Sequence, residues 1–298
     1  MRISFYASLA VFLSLCAARP STLDMFSRSV VFLSDNVPII ERVGETDFEV
    51  WLKFPNTNAF MPKTIPVTGS GFVVVSSNIA YLITAKHVAT RMTPACQVVM
   101  QGDRQEPLRF QLSSITGQPA IRWLHHTNAD ISIHPLPTVT TQGMVALSRR
   151  ALPLEVLEAE RNLPSRDIEV TVLGFPLGLG AQGQFIPISR ASNVASGMLN
   201  DANGFFFLLQ DPSVSGYSGG PLVQLGGPRF VATGSQPSSF AMVTGGIRCW
   251  GFVSGTFSDN TGGKMSRITP SCYAVELVRK AQRELRIWPA SLPNAGPP

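Results

Sequence analysis

The sequence predicts an all-β protein, and three observations predict it. Short runs rich in β-branched and aromatic residues recur along the chain, among them Val30–Leu33, Phe48–Leu52, Ile168–Leu173 and Gly204–Leu209, and such runs suit a pleated, half-buried strand. The 25 glycines and 23 prolines supply frequent turns. Charged residues make up only 14% of the 298, as expected where many short strands share apolar cores.

From the N-terminus, Arg2 followed by the apolar, almost uncharged run Ile3 to Leu15 and the small residues Cys16-Ala17-Ala18 reads as a secretory signal over residues 1–18. That run falls short of the ~20 apolar residues a membrane span needs, so no stable span is expected. Leu13-Ser14-Leu15-Cys16 faintly resembles a lipobox, but Leu15 stands where that motif wants a small residue, and lipidation at Cys16 ranks below simple cleavage. Location outside the cytoplasm, secreted or periplasmic, follows. Folded structure is expected to begin near Val30.

Two β-rich runs, Gly69–Val75 and Ala80–Thr84, flank the polar turn Ser76-Ser77-Asn78 and read as a hairpin. His87 follows Thr84-Ala85 at the strand end, where small residues leave room for an imidazole facing a cleft. His125 and His126 are expected at the surface, and His134 on the strand of Ile131 and Ile133. Asp130, just ahead of Ile131-Ser132-Ile133, is a candidate orienting carboxylate. Residues 149–166 form a connector, with a short helix expected near Leu154 to Arg161. Ala274, Leu277, Val278, Ala281 and Leu285 repeat at helical spacing and predict a C-terminal helix over 272–287, before a disordered tail at 289–298.

The stretch Val214-Ser215-Gly216-Tyr217-Ser218-Gly219-Gly220-Pro221-Leu222-Val223-Gln224 reads as a tight turn feeding a strand. Its glycines allow backbone angles a side chain would forbid, so Ser218 can be exposed as a nucleophile while the amides of Gly216 and Ser218 converge as an oxyanion hole. A serine hydroxyl attacks a carbonyl only with a base to take its proton, and His87, oriented by Asp130, supplies one.

With Gly69-Ser70-Gly71-Phe72, Thr84-Ala85-Lys86-His87-Val88, Ala129-Asp130-Ile131-Ser132-Ile133 and Gly216-Tyr217-Ser218-Gly219-Gly220-Pro221-Leu222 in that order, the chain resembles the trypsin-like, or chymotrypsin-fold, serine peptidases, in particular compact bacterial members related to the HtrA group. Gly174-Phe175-Pro176-Leu177-Gly178 is similar to the family's glycine-proline turn at the start of the second barrel. The resemblance implies two six-stranded antiparallel β-barrels, about 28–148 and 167–270 within a peptidase domain over 19–288. The active site would lie between the barrels, with His87 and Asp130 from the first and Ser218 from the second. It implies a secreted or periplasmic endopeptidase acting on protein or peptide substrates through a Ser-His-Asp triad and an acyl-enzyme. The alternative is a peptidase-fold binding or regulatory protein with little or no activity.

By family position the specificity pocket would have its base at Pro212 and its wall at Ser254 and Thr256, with Asp211 one residue away from the base. A register placing Cys249-Trp250-Gly251 at the wall stays open. This predicts a small or apolar side chain before the cut. The cysteines on which digestive members build bridges are replaced by Val88 and Val214, and no freed Ile-Val-Gly-Gly terminus precedes Gly69, so no zymogen switch is expected. After signal cleavage Cys96, Cys249 and Cys272 remain, permitting one bridge, for which Cys249 and Cys272 are the candidate pair.

Net charge is +5, but the 24 lysines and arginines are dispersed, and the Arg279-Lys280-Arg283-Arg286 group reads as the solvated face of the C-terminal helix. No nucleic-acid partner is expected. No paired His/Cys spacing suits a metal and no glycine-rich phosphate loop follows a strand, so no metal or cofactor is expected. Only 80 residues follow Ser218, which leaves no room for an appended PDZ domain, and a monomer is expected.

Overall fold

The computed structural model describes residues 21–287 apart from 44–45, 54–59, 117–121, 137–145, 148, 227, 233–239, 245–246 and 260. The expectations for residues 1–18, Cys16 and the tail from 289 lie outside the described residues. Folded structure begins earlier than Val30, with helix α1 (Thr22–Ser29). Ser21 accepts from the amide of Asp24 while the Asp24 carboxylate takes the Ser21 amide, a reciprocal cap that satisfies two otherwise orphan donors.

The first sheet starts with β1 (Val30–Pro38). Two small hairpins follow, β2 (Ile40–Val43) with β3 (Thr46–Glu49), and β4 (Trp51–Lys53) with β5 (Phe60–Pro62). The chain then returns along β1 as β6 (Thr64–Ser76), with Val30 opposite Phe72 and Pro38 opposite Thr64. The sheet continues through β7 (Ile79–Thr84), β8 (Gln97–Gln101), β9 (Pro107–Gln111), β10 (Leu124–His125) and β11 (Ser132–Leu136), with helices α2 (Lys86–Ala89) and α3 (Leu112–Thr116) between them. β12 (Leu152–Pro153) adds to β6 in parallel. The order is β10-β11-β7-β6-β1-β8-β9. These seven strands and β12 form an eight-stranded sheet, which is the first of the two expected β units and carries two short strands beyond the six expected.

The second sheet joins β13 (Val170–Gly174), β14 (Ile188–Ser192), β15 (Leu199–Asp201), β16 (Gly204–Leu209), β17 (Pro221–Gln224), β20 (Arg248–Ser258) and β21 (Lys264–Pro270) in the order β14-β13-β17-β20-β21-β16-β15. β18 (Pro228–Ala232) and β19 (Phe240–Thr244) form a separate hairpin inserted before β20. Beyond β14 the chain pairs Val194 with Leu209 of β16, and the Ala195 amide donates to Leu208. That bridge returns the sheet onto itself, so six strands run round and β15 hangs off β16. The architecture is chymotrypsin-like, with two mostly antiparallel β units and a C-terminal helix.

The connector carries a 3₁₀ turn at Leu154–Val156 in place of the expected longer helix. Beyond it Leu157 bridges to Cys249 and Glu158, buried, ion-pairs with Arg248. Helix α4 (Cys272–Ile287) buries Ala274, Leu277, Val278 and Ala281, as their spacing predicts. These residues join Phe72, Ile83 and Ile131 of the first sheet and Phe175 and Phe252 of the second in one apolar cluster. That shared core sets the two sheets against each other and holds the cleft between them.

Candidate active site

β7 ends at Thr84, and Ala85, fully buried, opens the single-turn helix α2 that carries His87. Asp130 reaches this turn from the loop before β11. Its Oδ1 accepts the backbone amide of His87 at 2.9 Å and its Oδ2 lies 2.7 Å from Nδ1. A carboxylate can only accept, so in the neutral ring the proton sits on Nδ1 and Nε2 is left as the free base. The His87 side chain is 49% exposed and that of Asp130 21%. Asp130 is partly open to solvent because a cavity of about 510 Å³ lies beside it, lined by Lys86, His87, Asn203, Ser254 and Arg267.

The Ser218 turn lies against the same corner. Gly219 has φ +84°, and a Cβ there would stand 2.2 Å from both Ser70 O and Thr84 Oγ1 and 2.9 Å from the Ala85 amide, so only glycine brings the Ser218 turn this close to the strand leading into His87. Gly216 has φ +99°, with its Cβ position 2.3 Å from Phe175 O and 2.8 Å from the Leu177 amide. The expected Gly174–Gly178 turn is thus the floor on which the Ser218 turn rests, and Leu177 donates to Ser215 O at 2.7 Å. Among the described residues neither the Gly216 nor the Ser218 amide has a protein acceptor. Ser218 Oγ makes no hydrogen bond to His87 or to any other described residue.

Ser70, quoted above only as part of a motif, holds this arrangement together. Fully buried, it donates from its amide to Ser218 O at 2.8 Å and from Oγ to Gly216 O at 2.7 Å, and its Oγ accepts the Phe175 amide at 3.0 Å. Its own carbonyl takes the Thr84 hydroxyl at 2.7 Å. One serine of the first sheet therefore binds the Ser218 turn by two hydrogen bonds and the Gly174–Gly178 turn by a third. A strand pattern carries no signal for this role, because a buried serine in an apolar run looks like a mere break in the periodicity.

The expected pocket residues separate. Pro212 lines a small enclosed space beneath the Ser218 turn together with Tyr217, Val253 and Ser266. Ser254 instead lines the cavity beside His87 and donates to Arg267 O, because a bulge between Val253 and Gly255 turns it to the other side. Thr256 donates to Ser213 O at 3.1 Å. Cys249 and Gly251 pair with Val223 and Leu222, farther along the sheet than Val253. Arg190, which the sequence did not single out, reaches this space from β14.

The candidate disulfide is absent: Cys249 and Cys272 are both buried free thiols, as is Cys96. Cys249 Sγ turns to the carbonyl of Gly251, and burial pushes its thiol up to about 12. His126 is not a surface residue; its ring packs on Tyr273 and pairs with Glu276 at 3.3 Å. His125 Nδ1 meets Ser132 Oγ at 2.7 Å. His134 lies on β11 as expected, buried, and burial lowers it to about 4. Among the described residues no three His, Cys, Asp or Glu side chains gather as a metal site, and no helix is long and apolar enough to cross a membrane.

No curated protein matches the sequence. Among solved structures, an inactive-form mutant of Rv3671c from M. tuberculosis H37Rv is similar at 14% identity, covering 89% of this chain and 92% of that one with a TM-score of 0.48. The apo MamO protease domain from Magnetospirillum magneticum is similar at 14% identity, 85% and 96% coverage and a TM-score of 0.45. The family model for the trypsin-like peptidase domain matches residues 69–232, more than half of the chain, from the Gly69-Ser70 strand through His87, Asp130 and the Ser218 turn. The chain belongs to the trypsin-like peptidase family.

Proposed function

We propose that the protein is a serine endopeptidase in which Ser218 attacks the scissile carbonyl, His87 is the base and Asp130 orients it. The observation that carries the reading is the two-point hold of Asp130 on His87. It leaves Nε2 as acceptor on a corner that the Ser218 turn touches through Gly219. The division of labour is the family's. His87 takes the Ser218 proton as Oγ bonds to the carbonyl carbon, and the Gly216 and Ser218 amides stabilise the oxyanion. The imidazolium, held by Asp130, then gives that proton to the leaving amine. Water, activated by the same histidine, hydrolyses the acyl-enzyme.

Substrates are proteins or peptides. The N-terminal sequence supports export, to the periplasm or beyond the cell. Incubation with a denatured protein mixture, followed by mass spectrometry of the products, tests the activity. Cleavage by the purified chain and none by Ser218→Ala supports the reading, and equal background from both refutes it.

One observation favours a second reading, a peptidase-fold binding protein: Ser218 Oγ has no hydrogen bond to His87. Catalytic hydrogen bonds in unliganded sites are often long and tighten only with substrate, so the first reading stands ahead.

A further inference from the structure

β14 alternates in burial: Ser189 and Ala191 are exposed, while Ile188 and Arg190 are half-buried and Ser192 is buried. Arg190 therefore stands on the inward face of a strand, opposite Val172 of β13, at a position where the pleat calls for an apolar side chain. An inward charge is retained only where something satisfies it. The guanidinium donates to Pro212 O and pairs at 3.2 Å with Asp211 Oδ1. These are the residues just before the Ser218 turn.

The space this leaves is about 10 Å³, walled by Val172, Leu209, Tyr217 and Val253, room for about one water. Tyr217 and Arg190 line this space together; burial holds the Tyr217 phenol above its ordinary range and the Arg190 charge opposes that shift. Ser192, on the same wall, has a buried hydroxyl with no partner among the described residues. The Gly219 amide donates to Val253 O at 2.8 Å, and Tyr217 and Val253 line the space, which sets it against the turn that carries Ser218.

We infer that Arg190, latched to Asp211 and Pro212, is a plug that sets substrate preference: it fills the specificity pocket so that only glycine, alanine or serine fits before the cut. The inference rests on the serine-peptidase reading. Removing the plug frees the volume of a long side chain between apolar walls, and the enzyme then accepts large apolar residues.

The test compares covalent labelling of Ser218 by two peptidyl diphenylphosphonates, with alanine or phenylalanine at the position before the reactive phosphorus, read by intact mass. The wild type is expected to react at least ~10-fold faster with the alanine probe. In Arg190→Ala the phenylalanine-to-alanine rate ratio rises ~10–100-fold, the scale a few methylenes in an apolar pocket command. Asp211→Ala, which removes one of the guanidinium's two partners and leaves the bond to Pro212 O, loosens the plug and moves the ratio the same way by a smaller factor, and it decides the matter if Arg190→Ala fails to fold. A wild type that prefers the phenylalanine probe, or ratios unchanged in the folded variants, overturns the plug. A small fluorophosphonate without a peptide separates the two failures. If it labels wild-type Ser218 while the ratios stay put, the plug alone is wrong; if it labels nothing, the peptidase reading falls and the plug with it.

Discussion

Asp130 holds His87 at two points, with Oδ1 on the backbone amide at 2.9 Å and Oδ2 on Nδ1 at 2.7 Å. The first bond fixes where the α2 turn sits and the second fixes the ring. Asp130→Asn keeps the shape but offers Nδ1 a donor amide, which favours the wrong tautomer. In the proposed enzyme kcat falls by ~10⁴-fold, the scale of this loss in the family's triad, while the thermal transition moves little. A peptidase assay beside a melting curve checks both.

Ser70 is the hinge pin between the sheets. Ser70→Ala leaves the Phe175 amide and the Gly216 carbonyl buried without their partner, a loss of about 1–3 kcal/mol. It also loosens the Gly216 peptide, so kcat should fall more than stability alone explains. Denaturant unfolding and kinetics on the same preparation separate the two effects.

Gly219→Ala sets a positive φ against a side chain and drives Cβ toward Ser70 O and Thr84 Oγ1. Destabilisation above about 2 kcal/mol is expected, measurable as a lower urea midpoint.

His134 is buried and lowered from 6.5 to about 4 by burial. Its folded pKa lies below the unfolded one, so between pH 6.5 and about 4 the unfolded chain binds the extra proton and stability falls with falling pH. At about 1.4 kcal/mol per pH unit, the full gap is about 3 kcal/mol. His134→Phe should flatten this part of the stability–pH curve, and an unchanged curve would contradict the assignment.

Burial pushes Cys96 and Cys249 up to about 12 and Cys272 to about 11. Thiolate is therefore scarce at pH 8. Ellman's reagent should react with none of these three in the folded protein and with all three in denaturant, and a reductant should leave the melting temperature unchanged. A bridge between Cys249 and Cys272 would show as two missing thiols.

Much of the local structure around the candidate site was legible because each of its parts is a short local signal. Glycines around Ser218, small residues before His87 and an aspartate opening an apolar strand each mark a turn at a strand end, and the structure places all three turns at the seam of the two sheets. The C-terminal helix was legible from the spacing of Ala274, Leu277, Val278 and Ala281. Of the two hairpins between β1 and β6 only the run Phe48–Leu52 was legible, and as one strand where the structure breaks it at Val50 into β3 and β4, since strands of three or four residues hold at most two periods of alternation. The disulfide expectation rested on parity, which says nothing of where two buried sulfurs point. Arg190 was missed because Ile188-Ser189-Arg190-Ala191-Ser192 has one large apolar residue and no readable inward face; only its pairing opposite Val172 shows it.

The central claim is that Ser218 is an activated nucleophile. The direct measurement is labelling of the folded protein with a fluorophosphonate, followed by mapping of the modified residue. The account predicts one adduct, on Ser218, that disappears in Ser218→Ala and forms orders of magnitude more slowly in His87→Ala. A folded wild type as blank as Ser218→Ala would contradict it.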